Sequence, residues 1–138
     1  MGAYEQWNRL TPAEKAVLAA LTLRNPAAPL LIQNSKDKAF SETASRFGHN
    51  GHNDQSDAFR HCFWSSMLSR DLGYFWAKAF TDAHESDPGN PAGEKRMDLH
   101  NNSVGLKIGF YYFIPDSNTA LSDKCYKALQ NGELITSP

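Results

Sequence analysis

Helix starters and helix breakers alternate along this chain, and that punctuation restricts it to short helices joined by tight turns. Thr11-Pro12-Ala13-Glu14 holds the parts of a capping box. Threonine can cap, proline fits the first helical position, and glutamate can reach back to the cap. Leu10 is placed to staple onto Ala16-Val17-Leu18 behind it. Pro26 stops this helix, and Pro26 with Pro29 marks a turn. Leu30-Leu31-Ile32 restarts an apolar run, and the stretch from Lys36 to Ala44 reads as helical. Phe47-Gly48-His49-Asn50-Gly51-His52-Asn53-Asp54 has turn composition. Asn53 or Asp54 then caps a strong helix that runs to Leu72 and ends at Gly73. A further helix covers Tyr74 to Ser86, and Asp87-Pro88-Gly89-Asn90-Pro91 breaks it. Another covers Ala92 to Gly109, and the last spans Thr119 to Gln130, closed by Asn131-Gly132. Phe110-Tyr111-Tyr112-Phe113-Ile114 fits either the end of a helix or an extended run into Pro115. The chain is therefore expected to be all-α, a compact bundle of about five helices with short turns. Residues 1–138 are expected to form a single domain.

A chain of 138 residues can bury a core without staples. The formal net charge of -1 gives no overall pull toward nucleic acid or an anionic membrane. Cys62 and Cys125 are too few for a disulfide framework and do not have zinc-motif spacing, so both read as buried thiols. No apolar stretch is long enough to cross a bilayer. Met1-Gly2-Ala3-Tyr4-Glu5 lacks the basic stretch and apolar core of a secretory signal. If the domain is exported, something else is expected to deliver it.

The chemistry-bearing residues gather in three segments. In Asp57-Ala58-Phe59-Arg60-His61-Cys62-Phe63-Trp64, Asp57 and His61 are one helical turn apart, with Arg60 and Trp64 beside them. Phe59, Phe63 and Met67 fall on a neighbouring apolar face. Partly buried charge of this kind must be paired or used. Either Asp57 and Arg60 form a structural ion pair, or Asp57 orients His61, the usual role of a carboxylate beside a working histidine.

The second segment, Thr81-Asp82-Ala83-His84-Glu85-Ser86-Asp87, closes a helix. The helix dipole favours His84 there and disfavours Glu85 and Asp87, which therefore need a cation nearby. The third is Met97-Asp98-Leu99-His100-Asn101-Asn102-Ser103-Val104-Gly105. Asn101 falls on the apolar stripe of Met97, Val104 and Ile108, where a buried amide needs partners. Asp98, Asn102, Gly105 and Gly109 share the next stripe, and the two glycines read as a place of close helix packing. Helices that each carry histidine plus an acid or amide are how a bundle builds a site inside itself.

Taken in order, five motifs resemble those of an uncharacterised bacterial domain family. They are Leu10-Thr11-Pro12-Ala13-Glu14-Lys15, Gly51 through His61, Asp82-Ala83-His84-Glu85, Met97 through Gly105, and Ala128 through Ile135. Members often form the C-terminal ends of polymorphic-toxin and Rhs-repeat proteins, or stand alone as small secreted proteins. The resemblance implies a toxin-like effector used in competition between bacteria. It also implies a larger delivery protein and a cognate immunity protein as partners. The family's usual residue after the first-motif histidine is alanine. Here it is Cys62, which argues against a cysteine nucleophile.

The leading reading is a hydrolase acting on an envelope component or another essential polymer. Its expected site residues are Asp57, Arg60, His61, His84, Glu85, Asp98, His100, Asn101 and Asn102. His61, His84 and His100 would serve as base or as ligands of a divalent metal such as zinc. A metal-free site would use His61 as general base with Asp57 behind it. Three alternatives stand beside this. The first segment resembles the active helix of small phospholipases A2, although Cys62 stands where those enzymes place a calcium-binding acid. A nuclease would use Arg46, Arg60, Lys95 and Arg96 on phosphates, against the near-neutral charge. A non-enzymatic partner-binding module would use the same polar residues as a buried structural network. His49 and His52 sit in a polar turn and read as solvated, at most bordering a cleft.

Overall fold

The computed structural model describes residues 7–138. The opening Met1-to-Glu5 stretch, where a signal segment would stand, lies outside the described residues. Six helices follow in order: α1 (Pro12–Arg24), α2 (Ala28–Phe47), α3 (Gln55–Leu72), α4 (Tyr74–His84), α5 (Ala92–Gly109) and α6 (Asn118–Gln130). Residues 7–9 are helical ahead of them, and the described residues contain no strand. The bundle is all-α, but seven helical segments replace the expected five or so. The segment at residues 7–9 was not among those expected, and Pro29 does not extend the turn begun at Pro26. It sits in the first turn of α2, where a missing N–H costs nothing, so one helix of 20 residues runs to the left-handed cap at Gly48.

The local signals act as their chemistry requires. Thr11 and Glu14 close a full capping box at the start of α1. Asp54 caps α3 by accepting the Asp57 N–H at 2.9 Å. Asn53 just before it takes a left-handed φ of 56°, which asparagine tolerates better than most residues. α4 stops at His84, and Glu85 forms its C-cap. α5 ends at Gly109, and the aromatic run after it leaves the helix, with Phe110 extended and Tyr112, Phe113 and Ile114 almost fully exposed. Among the described residues no helix is long and apolar enough to cross a membrane.

α3 is the central element, touching α2, α4, α5 and α6. Its apolar face, Phe59, Phe63 and Met67, is fully buried, and Phe59 packs against Phe47 and Phe63 at centroid distances of 5.5 and 5.7 Å. Each such side chain contributes about 1.5–3 kcal/mol on burial. α5 lies along the opposite side of α3. A methyl added at Gly105 would collide with the Cys62 carbonyl, and one at Gly109 with the Ser66 carbonyl. The two glycines thus let the backbones approach, and that separation sets how far side chains elsewhere along the seam must reach. Cys62 and Cys125 are free, buried thiols, Sγ to Sγ 2.9 Å, and burial pushes the Cys62 thiol well above its ordinary range. Neither is poised as a nucleophile.

Candidate functional site

The first turn of α3 places Asp57 where the helix dipole favours an anion. Its Oδ2 accepts the Asn53 N–H at 2.7 Å and its Oδ1 accepts Arg60 Nη2 at 2.6 Å. Arg60 also donates to the Gly51 carbonyl and to Asn50 Oδ1, so the turn before α3 is folded onto this pair. Asp57 is buried, and burial alone would raise its pKa. The His61 hydrogen bond and charge, the Asn53 N–H and Arg60 outweigh it and hold the carboxyl below the ordinary range.

One turn on, His61 becomes the centre of the cluster. Its Nε2 lies 3.3 Å from Asp57 Oδ1 and 3.5 Å from Asp98 Oδ1. Its Nδ1 lies 3.3 Å from Asn102 Oδ1 and 3.9 Å from Glu85 Oε2. α3, the end of α4 and α5 therefore each send a carboxylate to a single imidazole. Burial opposes a charged ring, but the bond to Asp57 and the charges of Asp98, Glu85 and Asp57 together raise the His61 pKa. Burial pushes Glu85 up, against the charges of His61 and His84, and burial pushes Asp98 up, with Asp57 adding repulsion. Asn102 ties the far side together: its Nδ2 donates to Glu85 Oε2 at 3.1 Å, and its Oδ1 accepts Ser65 Oγ at 2.9 Å. The buried Asp98 Oδ1 has no hydrogen-bond partner. The His61 and Asp98 side chains remain 15% and 14% exposed, so the cluster reaches solvent at a narrow opening.

The nine expected site residues divide. Asp57, Arg60, His61, Glu85, Asp98 and Asn102 meet. His84, next to Glu85, turns the other way: its Nδ1 pairs with the buried Glu14 Oε2 at 2.8 Å, and its ring packs on Trp64. His100 and Asn101 serve the C-terminal segment instead. His100 Nε2 bonds the Glu133 carbonyl at 2.8 Å. Asn101 is fully buried and exchanges two 2.8 Å bonds with the backbone of Ile135. The expected imidazole triad of His61, His84 and His100 does not converge. For His100 the reason is helical: at about 100° per residue it points nearly opposite to both Asp98 and Asn102, while Asn101 points about 100° from Asn102 and toward the C-terminal segment. Among the described residues, the group of metal-ligating atoms within 4.8 Å of one another is Asp57, His61 and Asp98.

Several residues in or around the site carried weaker signals. Glu14 signalled only a helix cap, yet its second oxygen takes His84, a partner 70 residues away. Ser65 is an ordinary mid-helix serine. His52 is largely exposed, as its turn composition suggests, but it borders the cluster, 3.8 Å from Asp57 Oδ2 and 3.3 Å from Glu94 Oε1. Arg46, a phosphate contact in the nuclease reading, is tied to Ser122 and Asp123 and stacked on Tyr126. A concavity of about 390 Å³ lies elsewhere, lined by residues of α4 and α5 such as Lys78, Asp82, Lys95 and Ser103.

The family described as Domain of unknown function (DUF6973) matches residues 19–133. The chain belongs to the DUF6973 family. The match spans every member of the His61 cluster, whereas Glu14, the partner of His84, falls outside the stretch that defines DUF6973. No solved structure matches the chain.

Proposed function

We propose that this domain is a bacterial effector of the polymorphic-toxin kind and a hydrolase whose site is the His61 cluster. Its substrate is an envelope component or another essential polymer. The motif resemblance supports the effector context. The hydrolase reading rests on one observation: a single imidazole, fixed at both nitrogens, is surrounded by carboxylates from three helices and still reaches solvent. Collecting buried acids in one place is costly, and apolar residues of similar size would often stabilise such a position. A sequence tolerates that cost where the groups work. Hydrolysis needs a group that takes a proton from water and a group that returns one to the leaving atom. A histidine held among carboxylates of unlike environment offers both.

A second reading is supported by how well most of the cluster is satisfied. Asp57 and Arg60 pair with each other and with the turn before α3, and Asn102 of α5 bonds Ser65 and His61 of α3, so the set would serve as a polar lock between α3 and α5. The two readings part on a simple comparison. Wild type, His61→Ala and His84→Ala are expressed in bacteria, directed to cytoplasm or periplasm. The hydrolase reading predicts killing in one compartment, its loss in folded His61→Ala, and its retention in His84→Ala. A folded His61→Ala protein that still kills would leave only the structural lock.

A further inference from the structure

Around His61 Nε2 the lone pairs outnumber the hydrogens available to them. Asn102 Nδ2 donates to Glu85, which turns the amide oxygen toward Ser65 and the ring. His61 Nδ1 is therefore the donor on that side, and Nε2 of the neutral ring presents a lone pair to Asp57 Oδ1 and Asp98 Oδ1. A proton on Nε2 can serve one of those oxygens, and Asp98 Oδ1 then stays buried without a donor, as found. A multivalent cation serves all three atoms at once.

We propose that Asp57 Oδ1, His61 Nε2 and Asp98 Oδ1 are the protein ligands of a divalent metal ion of the zinc or manganese class. The spacing suits it. Two ligand atoms at about 2.1 Å from a tetrahedral ion stand roughly 3.4 Å apart, and Nε2 lies 3.3 and 3.5 Å from the two oxygens. Two hard carboxylates with one imidazole suit zinc, manganese or iron(II), and three protein ligands leave positions open for water or substrate. The supporting contacts are in place. Asn102 fixes the ring tautomer, Arg60 takes the second lone pair of Asp57 Oδ1, and the Asn53 N–H holds Oδ2. Glu85, a buried carboxylate on the Nδ1 side of the same ring, accepts from Asn102 Nδ2 and so helps hold the amide that sets the tautomer. This ligand set deepens the hydrolase reading and takes its purpose from it.

The test is binding, independent of toxicity. Chelator-stripped protein is titrated calorimetrically with Zn²⁺, Mn²⁺, Mg²⁺ and Ca²⁺, with circular dichroism as the folding control. One Zn²⁺ or Mn²⁺ per chain is expected, with proton release, and affinity falls about tenfold or more in the isosteric Asp98→Asn and in His61→Gln. His100→Ala leaves it unchanged. On wild type, substoichiometric Zn²⁺ shifts the His61 ring signals in NMR spectra and leaves those of His100 in place. No stoichiometric binding, binding that survives folded Asp98→Asn, or NMR shifts centred on His100 would overturn the site. Ion binding without killing would sink the hydrolase and keep the metal centre. Killing that depends on His61 without ion binding would do the reverse.

Discussion

The seam between α3 and α5 is built in two unlike halves. Toward the C-terminal ends of both helices, Gly105 and Gly109 face the bare carbonyls of Cys62 and Ser66, and Ser69 Oγ closes the gap to the Leu106 carbonyl at 2.8 Å. Nothing there carries charge. A turn or so earlier on the same faces, Asp57 and His61 meet Asp98 and Asn102. The close-packed half brings the backbones near enough for short side chains in the charged half to touch. Close packing favours the fold in the first half, whereas the second gathers buried carboxylates, which are costly to desolvate.

The largest effect should fall on activity in the charged half. His61→Gln keeps a polar side chain of similar reach but loses the imidazole. Killing, and any hydrolysis it reports, should drop on the order of a hundredfold or more. Equal activity would mean the charged half is as structural as its neighbour. Next comes Gly105→Ala. The new methyl meets a backbone carbonyl that cannot step aside, so chemical denaturation should show a loss of about 3 kcal/mol. No loss, or the gain of up to about 1 kcal/mol that alanine brings over glycine in an unhindered helix, would show that the tight half is looser than its geometry.

Asn101→Ala sharpens the contrast from outside the seam. It removes both bonds to Ile135 and should cost about 1–3 kcal/mol, seen as a lower Tm and faster proteolysis of the C-terminal segment, with killing per folded molecule intact.

That residue also shows what could be read in advance. Periodicity put Asn101 on an apolar stripe that needed partners, and it is there. The stripe of Asp98, Asn102, Gly105 and Gly109 was equally legible, as were the Asp57 and His61 pair and the capping box at Thr11. Three things were not. Segment membership grouped His100 with Asp98, although only helical phase decides direction. The partner of His84 came from a helix cap far away in sequence, which no local pattern signals. The helical turn at residues 7–9 carried no cap signal, and the start of α2 was missed because Pro29 looks the same in sequence whether it breaks a helix or opens one.

The pH dependence tests the charged half as a whole. The groups facing His61 are Asp57 and Arg60 from α3, Glu85 from the end of α4, and Asp98 from α5, with His52 near Asp57. His61 has a raised pKa, so its contribution is complete below its unfolded value and is lost as pH rises through the folded one. Asp98 and Glu85 are raised too, so each favours the fold while protonated and loses that contribution as pH climbs from its unfolded value. Asp57 and Glu14 are lowered and Asp54 lies at about 2, so their contributions vanish only as pH falls below the usual carboxylate range. Tm should therefore peak at about pH 5–6 and decline toward alkaline pH. A Tm that climbs from pH 6 to 8 would contradict the charge arrangement.

The smallest change in stability carries the most weight. Asp98→Asn removes one of the crowded carboxylates and keeps its shape, and both Tm and killing are measured on the same folded protein. A working site predicts a stability within about 1 kcal/mol of wild type, or a higher Tm, together with loss of killing. A folded variant that kills as wild type does, or one that loses stability and activity in step, would contradict it.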